Sequence, residues 1–380
     1  MTWSPQQYLA DGRLLGVDPT TLQSAVEQIE EVIVTHPELP ALLTLNHLAR
    51  RTGADYQELR SIIRCSNGFY RHFRIHKRSS GHRLISVPAP TLMTVQRWIA
   101  KYILNSQPVH HCSFAFGPGA SILKCAARHT GARWLIKLDV AGFFGSISEL
   151  RVYRVFRSIG YRPLIAFELA RLTTHAPLES PRYTLSQWRA KPHPSPIGKY
   201  WRGRIGYLPQ GAPTSPMLSN LMMRDSDAEI EALSKAMGIR YTRYSDDLTF
   251  STSGNFDRVS ARKLIWRVRT ILGRVGLQIN NRKTNIVPPG GRKIVLGLLV
   301  DGTQPRLTRD FRSMLRQHLY FLSKVGPAEH TKQRGFDSIW GMYRHVRGLI
   351  DFANMVEPFY AQALLGDFDK MNWPANPPGA

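Results

Sequence analysis

Two adjacent carboxylates, Asp246 and Asp247, stand in the run Tyr244-Ser245-Asp246-Asp247, between short apolar and aromatic stretches at 239–244 and 248–250. That pattern predicts two strands joined by a tight turn with Ser245-Asp246 at its tip. Asp favours turns, so a solvated hairpin is the plain alternative. Two acids forced together also repel each other and lose hydration, which calls for a compensating cation. A third acid, Asp139, closes an apolar stretch at 133–140 that predicts a buried strand. If strand end and hairpin tip lie on one sheet, three carboxylates meet. Three is the minimum needed to hold two divalent cations roughly 3.5–4 Å apart for in-line displacement at phosphorus. Mg²⁺ is the natural ion, with Mn²⁺ as a substitute, because it takes a few carboxylates together with water and phosphate oxygens.

Charge supplies the setting for these acids. The 380-residue chain carries a net charge of +24, and residues 59–138 hold thirteen Lys or Arg with no Asp or Glu. Residues 180–224 hold seven and 258–300 hold ten, again without a single carboxylate. Long one-signed stretches on a globular core predict a polyanionic partner, and phosphate backbones are the usual one. Residues 1–58 run the other way, with eight acids against three bases. Cys65, Cys112 and Cys125 are too few and too scattered for a disulfide framework, and His110-His111-Cys112 lacks a second cluster at ligand spacing, so it reads as structural. No apolar run reaches membrane-spanning length and no signal peptide is visible, which predicts a cytoplasmic protein with no membrane partner.

The elements that must position the acids follow in order. Residues 1–58 predict a separate helical lead-in, with Leu22, Val26, Ile29 and Ile33 on one face. Residues 69–90 alternate basic with apolar side chains, including Arg71, Arg74, Lys77, Arg78 and Arg83, and predict a basic β-hairpin able to clamp phosphates. A helix over 91–104, a short one over 121–129, the Asp139 strand and a helix over 148–159 come next. Residues 175–207 predict an irregular inserted segment, and 208–216 a rigid Gly/Pro loop that opens a long helix capped by Ser215. After the Asp246-Asp247 hairpin come a basic helix over 257–274, strands near 278–287 and 293–300, and a mainly helical remainder. There Arg309, Arg312 and Arg316 are spaced to share an outer flank, with Phe311, Met314, Leu315 and Leu319 inward. Only the tail 374–379 predicts disorder.

Taken together, these motifs resemble those of reverse transcriptases. Asp139 to Phe144 stands as motif A, Leu208-Pro209-Gln210-Gly211-Ala212-Pro213-Thr214-Ser215-Pro216 as motif B, and Tyr244-Ser245-Asp246-Asp247 as motif C. Gly276 to Thr284 is similar to motif D, residues 295–300 to the primer-grip strand, and residues 80–88 to the fingers motif. The resemblance covers about residues 69–350. Within the family the bacterial retron type is most similar. Its members carry Asn-Ala-x-x-His before motif A and Val-Thr-Gly after motif D, where this chain has Cys125-Ala126-Ala127-Arg128-His129 and Val295-Leu296-Gly297. Gly142 also stands where the family usually has Asp.

The resemblance implies an α+β fold, the right-hand polymerase: a helical extension (1–68), fingers (69–137), a palm with an antiparallel sheet and a ferredoxin-like core (138–300), and a helical thumb (301–380). By position it implies that Asp139, Asp246 and Asp247, with Val140, hold the metals and that Lys283 protonates the pyrophosphate. Arg83, Lys77 and Arg78 would grip the triphosphate, Phe144 would gate the sugar, Gln210 and Gly211 would pack at the nascent pair, and Tyr244 would meet the substrate. Arg71, Arg74, Val295, Leu296, Gly297, Arg309, Arg312 and Arg316 would meet nucleic acid. The implied partners are dNTPs, a structured non-coding RNA serving as template and primer, its DNA product and an effector or toxin protein; the implied setting is antiphage defence. The alternatives are another defence-associated or template-independent polymerase of the family, or a maturase-like RNA-binding scaffold with a silent site.

Overall fold

A computed structural model describes residues 4–35, 37–64, 68–76, 82–177, 185, 188–190, 200 and 203–374. Four helices lead in: α1 (Pro5–Leu14), α2 (Pro19–Thr35), α3 (Leu45–Thr52) and α4 (Tyr56–Ile63). Ser4, Thr44 and Asp55 start α1, α3 and α4 by accepting a backbone N–H of the first turn. Leu22, Val26 and Ile29 are buried as expected, but the fourth buried residue is Val32, and Ile33 is only half-buried. Nor is the lead-in separate. Leu39, Leu42, Leu45, Leu48, Leu59, Ile62 and Ile63 all belong to the main core, because α3 and α4 lie against later helices.

The basic hairpin forms from β1 (Tyr70–His76) and β2 (His82–Pro88), paired antiparallel from Tyr70↔Pro88 to His76↔His82. Lys77, Arg78 and the turn between the strands lie outside the described residues, as do most of the expected insert at 175–207 and nearly all of the tail at 374–379. Helix α5 (Pro90–Ile99) runs on into a π turn (Ala100–Leu104), and α6 (Ile122–Ala127) leads to β3 (Trp134–Asp139). Then come a short helical turn α7 (Phe143–Ser146), α8 (Glu149–Ile159), α9 (Pro163–Thr173) and the 22-residue α10 (Ser215–Ala236). Ser215 does not cap α10. It is the first helical residue, Thr214 is the N-cap, and the Ser215 hydroxyl donates back to the Pro209 carbonyl at 2.7 Å.

Strands β4 (Arg240–Tyr244) and β5 (Asp247–Thr252), helix α11 (Arg258–Arg274) and β6 (Asn285–Val287) complete the central unit. Its sheet has the order β4-β5-β3-β6 and every pairing is antiparallel. Directly opposed residues share a face. Ile136, Leu138, Leu248 and Phe250 therefore face the main core with α8, α10 and α11, while Leu135, Asp139, Asp247, Thr249 and Ser251 face the other way. The expected strand over 293–300 is instead a tight hairpin of β7 (Ile294–Val295) and β8 (Leu298–Leu299), joined by β9 (Arg306–Leu307) into a second sheet. Leu296 and Gly297 form its turn with φ of +49° and +85°, a pattern that one extended strand cannot contain. Helices α12 (Arg309–Gln333), α13 (Ile339–Val356) and α14 (Pro358–Asp369) pack on this hairpin. They form a second core with Val295, Leu298, Val300 and Leu135. The architecture is α+β, as expected.

Candidate active site

A two-residue turn carries the acid pair. Tyr244 pairs with Asp247, leaving Ser245-Asp246 at the tip, and Ser245 adopts φ +59°. A side chain in that region costs about 1–3 kcal/mol and persists only where the surroundings hold it. What holds it is Arg243, which is fully buried. Its Nε and Nη2 donate to both oxygens of the equally buried Asp227 at 2.7–3.1 Å, and its Nη1 donates to Asn220 Oδ1 at 3.0 Å and to the Ser245 carbonyl at 3.1 Å. The Tyr241 hydroxyl adds a bond to Asp227 Oδ1 at 2.8 Å. Helix α10 thus fixes the turn through one guanidinium. Sequence reasoning missed Arg243, Asp227 and Asn220. The available signal was the alternation along β4, which puts Arg243 on the same inward face as Tyr241.

Asp139 is the Cα partner of Asp247 across β3 and β5, and the Asp246 carbonyl accepts the Val140 N–H at 3.0 Å. Strand end and hairpin tip therefore meet, as the spacing predicts. On the other flank, the Asn280 N–H donates to the Asp139 carbonyl at 2.7 Å, Asn280 Nδ2 donates to Asp139 Oδ1 at 3.2 Å, and Ala141 N–H donates to the Gln278 carbonyl at 2.8 Å. In that pairing Val140 turns both of its backbone groups away from Ile279 and towards the hairpin.

Burial first, and the neighbouring Asp139 after it, pushes the Asp246 carboxyl above its ordinary range. Burial and then Asp246 do the same for Asp247. Lys283 supplies positive charge, with Nζ 2.7 Å from Asp139 Oδ2, and that hydrogen bond raises its own pKa. Lys137, on the same sheet face, offsets part of the charge on Asp247. Among the described residues the group whose ligand atoms lie within 4.8 Å of one another is His110, His111, Cys112 and Glu231. The triad nevertheless fits a hard cation. It offers only oxygen donors, at a spot where burial and, after it, the neighbouring carboxylates raise two carboxyl pKa values.

Around the triad, Phe143 is buried, whereas Phe144 is half-buried with its ring 6.2 Å from that of Phe116. Phe116 takes φ +65° and is exposed. The motif B loop docks on the basic hairpin: the Ser86 N–H donates to the Gln210 carbonyl at 2.7 Å. Gly211 has φ +114°, and a Cβ there would stand 2.8 Å from Ile85 Cγ2 and 3.1 Å from the Ser86 carbonyl, so the position needs glycine twice over. Arg71, Arg74 and Arg83 are all exposed, but the pairing register puts Arg71 and Arg83 on one face of the hairpin and Arg74 on the other. Exposed Phe73, Ile75 and Leu84 lie between them.

Two expected nucleic-acid contacts need correction. Val295 is fully buried in the second core, so its side chain faces protein; only the turn at Leu296-Gly297 stays accessible. Arg312 does not share an open flank with Arg309 and Arg316. It ion-pairs with Glu357 and lies over the Tyr360 ring at 5.0 Å, while Met314, expected inward, is exposed. The retron-like stretch before motif A is structural here. Buried His129 bridges the strands, hydrogen-bonding Ser251 Oγ and Thr242 Oγ1 at 2.7 Å each, and burial holds its imidazole neutral with a pKa lowered to about 3. Cys125 Sγ donates to the same Thr242 hydroxyl.

An antiparallel sheet brings three acids to one end, and the Gln210 loop docks on a basic hairpin. Residues 75–293 match the reverse transcriptase (RNA-dependent DNA polymerase) family, and the chain belongs to it. Among curated relatives, it is 30% identical over 316 residues to the Retron Mx162 reverse transcriptase of Myxococcus xanthus, covering 80% of this chain and 61% of that protein. It is 32% identical to the Retron Mx65 enzyme of the same organism, covering 81% of this chain and 70% of that one. Against the Retron Ec86 reverse transcriptase of Escherichia coli the identity is 28%, over 77% and 83% respectively. The resemblance to the retron type, stated from two imperfect signatures, therefore holds along most of the chain. No helix among the described residues is long and apolar enough to cross a membrane.

Proposed function

We propose that this chain extends a primer with dNTPs along a structured non-coding RNA, making RNA-linked single-stranded DNA that serves antiphage defence. The observation that carries the polymerase reading is the pairing of Asp139 with Asp247 beside the strained Ser245-Asp246 turn. The retron product and its defensive use rest on similarity to the named relatives. The carboxylates of Asp139, Asp246 and Asp247, with the Val140 carbonyl turned towards them, would hold two Mg²⁺ ions. When bound, these supply Lewis acidity that lowers the pKa of the primer 3′-hydroxyl and neutralises the pyrophosphate.

The remaining work falls to the chain's own groups. Asp139 keeps Lys283 protonated, so its ammonium holds a proton at the rim of the acids for the departing pyrophosphate. Arg83, with Lys77 and Arg78, would grip the triphosphate, and the Gln210 loop docks on Ser86 of the strand that carries Arg83. The Phe144 ring lies under the sugar and excludes a 2′-hydroxyl. Gln210 and Gly211 pack at the new base pair, and Tyr244 meets the substrate. Arg71, Arg74, Arg309 and Arg316 follow phosphates, and the Leu296-Gly297 turn meets the primer strand. In this reading the fingers span 69–137, the palm 138–300 and the thumb 301–380, after a helical extension.

Sequencing the nucleic acid that copurifies with the protein, before and after ribonuclease treatment, tests the proposal. One recurrent structured RNA joined to a DNA copy of part of itself is expected. Random cellular RNA with no joined DNA would leave only a generic polymerase.

A further inference from the structure

The loop between the π turn and α6 lies along β4. The Arg243 N–H donates to the Cys112 carbonyl at 2.7 Å, and the Phe114 N–H donates to the Arg243 carbonyl at 2.8 Å. Cys112 is buried in the main core. Facing it, α10 presents Glu231, 119 residues further along the chain and out of reach of any spacing argument. His111 Nε2 stands 2.8 Å from Glu231 Oε1, and His110 Nε2 stands 3.6 Å from Glu231 Oε2. Cys112 lies close enough to this carboxylate for Glu231 to add to burial in raising its thiol pKa. One donor atom from each of the four residues lies within 4.8 Å of all the others.

We propose that His110, His111, Cys112 and Glu231 form a tetrahedral site for a thiophilic divalent cation of the Zn²⁺ class, tying this loop to α10 directly behind the catalytic hairpin. Two imidazoles, one thiol and one carboxylate are a borderline-soft set, distinct from the all-oxygen triad. Bonds of about 2.0–2.3 Å to a tetrahedral ion put ligand atoms roughly 3.3–3.8 Å apart, so the most distant donors must close by about 1 Å. The His111 side chain is 60% exposed, whereas those of His110 and Glu231 are 12% and 15% exposed. Lys235, whose ammonium is 2.7 Å from Glu231 Oε1, has a side chain 69% exposed and can swing into water. Glu231 already draws two imidazoles and an ammonium to itself, which marks the spot as one where positive charge is favoured. Burial, and after it Glu231, pushes the Cys112 thiol up to about 12, while burial lowers the pKa of His110, whose Nδ1 accepts the Cys112 N–H at 3.3 Å.

The placement gives the ion a role in the fold. Ser113 donates to Asn220 Oδ1, the atom that also accepts from Arg243 Nη1. A metal at residues 110–112 would brace the network that supports the Ser245-Asp246 turn without touching the reacting atoms.

The test is a Co²⁺ titration of the full chain in excess Mg²⁺, which occupies hard oxygen sites. One equivalent of Co²⁺ should give thiolate-to-cobalt charge-transfer absorption with intense four-coordinate d–d bands, and Zn²⁺ should displace it. Cys112→Ser should abolish the charge-transfer band, and His111→Ala and Glu231→Gln should weaken binding by roughly 10–100-fold or more. Asp246→Asn should leave the spectrum unchanged, which separates this site from the catalytic one. His111 is exposed enough for its alanine variant to fold. The proposal is overturned by the absence of charge-transfer absorption in the wild-type protein, or by unchanged affinity in both His111→Ala and Glu231→Gln.

Discussion

Replacing Arg243 by Met keeps an apolar stem of similar length and removes the guanidinium. Asp227, fully buried, then loses three of its hydrogen bonds and keeps only the one from Tyr241. Asn220 Oδ1 and the Ser245 carbonyl each lose a donor as well. Stranding one member of a buried pair costs about 3–5 kcal/mol, set against a total stability of about 5–15 kcal/mol, so the single variant should be severely weakened. The double variant Asp227→Leu/Arg243→Met removes the stranded charge and should recover most of that loss. Urea unfolding followed by far-UV circular dichroism measures both. Even so, the double variant lacks the Nη1 bond that fixes the strained turn, so its nucleotide incorporation should stay depressed by roughly 10–100-fold. If the single variant loses under about 1 kcal/mol, the typical worth of an exposed pair, or the double variant is no more stable than the single, the reasoning fails.

Three further outcomes are expected. Folding raises the Asp246 pKa, so the folded state binds that proton more tightly than the unfolded chain does. The resulting penalty is present at neutral pH and is relieved as pH falls through the raised value towards the ordinary 3.8. Asp246→Asn should therefore raise the melting temperature at pH 7 in metal-free buffer and flatten its acid dependence; an unchanged melting profile would deny the burial penalty. Phe144→Ala should raise ribonucleotide relative to deoxyribonucleotide incorporation while lowering the overall rate, and an unaltered ratio would make Phe144 a packing residue only. Arg309→Ala/Arg316→Ala should weaken RNA duplex binding and flatten its salt dependence by up to roughly 0.7–0.9 log unit for each phosphate no longer neutralised, whereas Arg312→Ala should act mainly through stability; the wild-type salt slope in the double variant would show that this flank merely faces water.

Much of the site was legible because its parts are local. A two-residue turn flanked by alternating apolar residues needs only a few positions to declare itself, and so does a strand that ends in the first acid after a long basic stretch. What stayed hidden depends on packing between distant segments. Nothing in the spacing of Asp227 and Arg243 announces a buried pair, and Glu231 is invisible from His110 until α10 is laid against the loop. Helical periodicity put Arg312 beside Arg309 and Arg316, yet which flank meets Glu357 is decided by α13 and α14. The segment from Lys293 to Val300 looked like one strand because its residues are apolar; the left-handed Leu296-Gly297 turn folds it back on itself. Val295 illustrates the same limit, since a residue placed at a nucleic-acid surface by motif position lies fully buried in the second core.

The most direct measurement is primer extension on an RNA template with dNTPs and Mg²⁺, comparing the wild-type chain with Asp246→Asn and Asp247→Asn. The wild type should incorporate dNTPs in a Mg²⁺-dependent way, and both variants should fall to background while keeping cooperative unfolding and RNA binding. Extension at the wild-type rate by both variants would contradict the assignment of these carboxylates to the reaction.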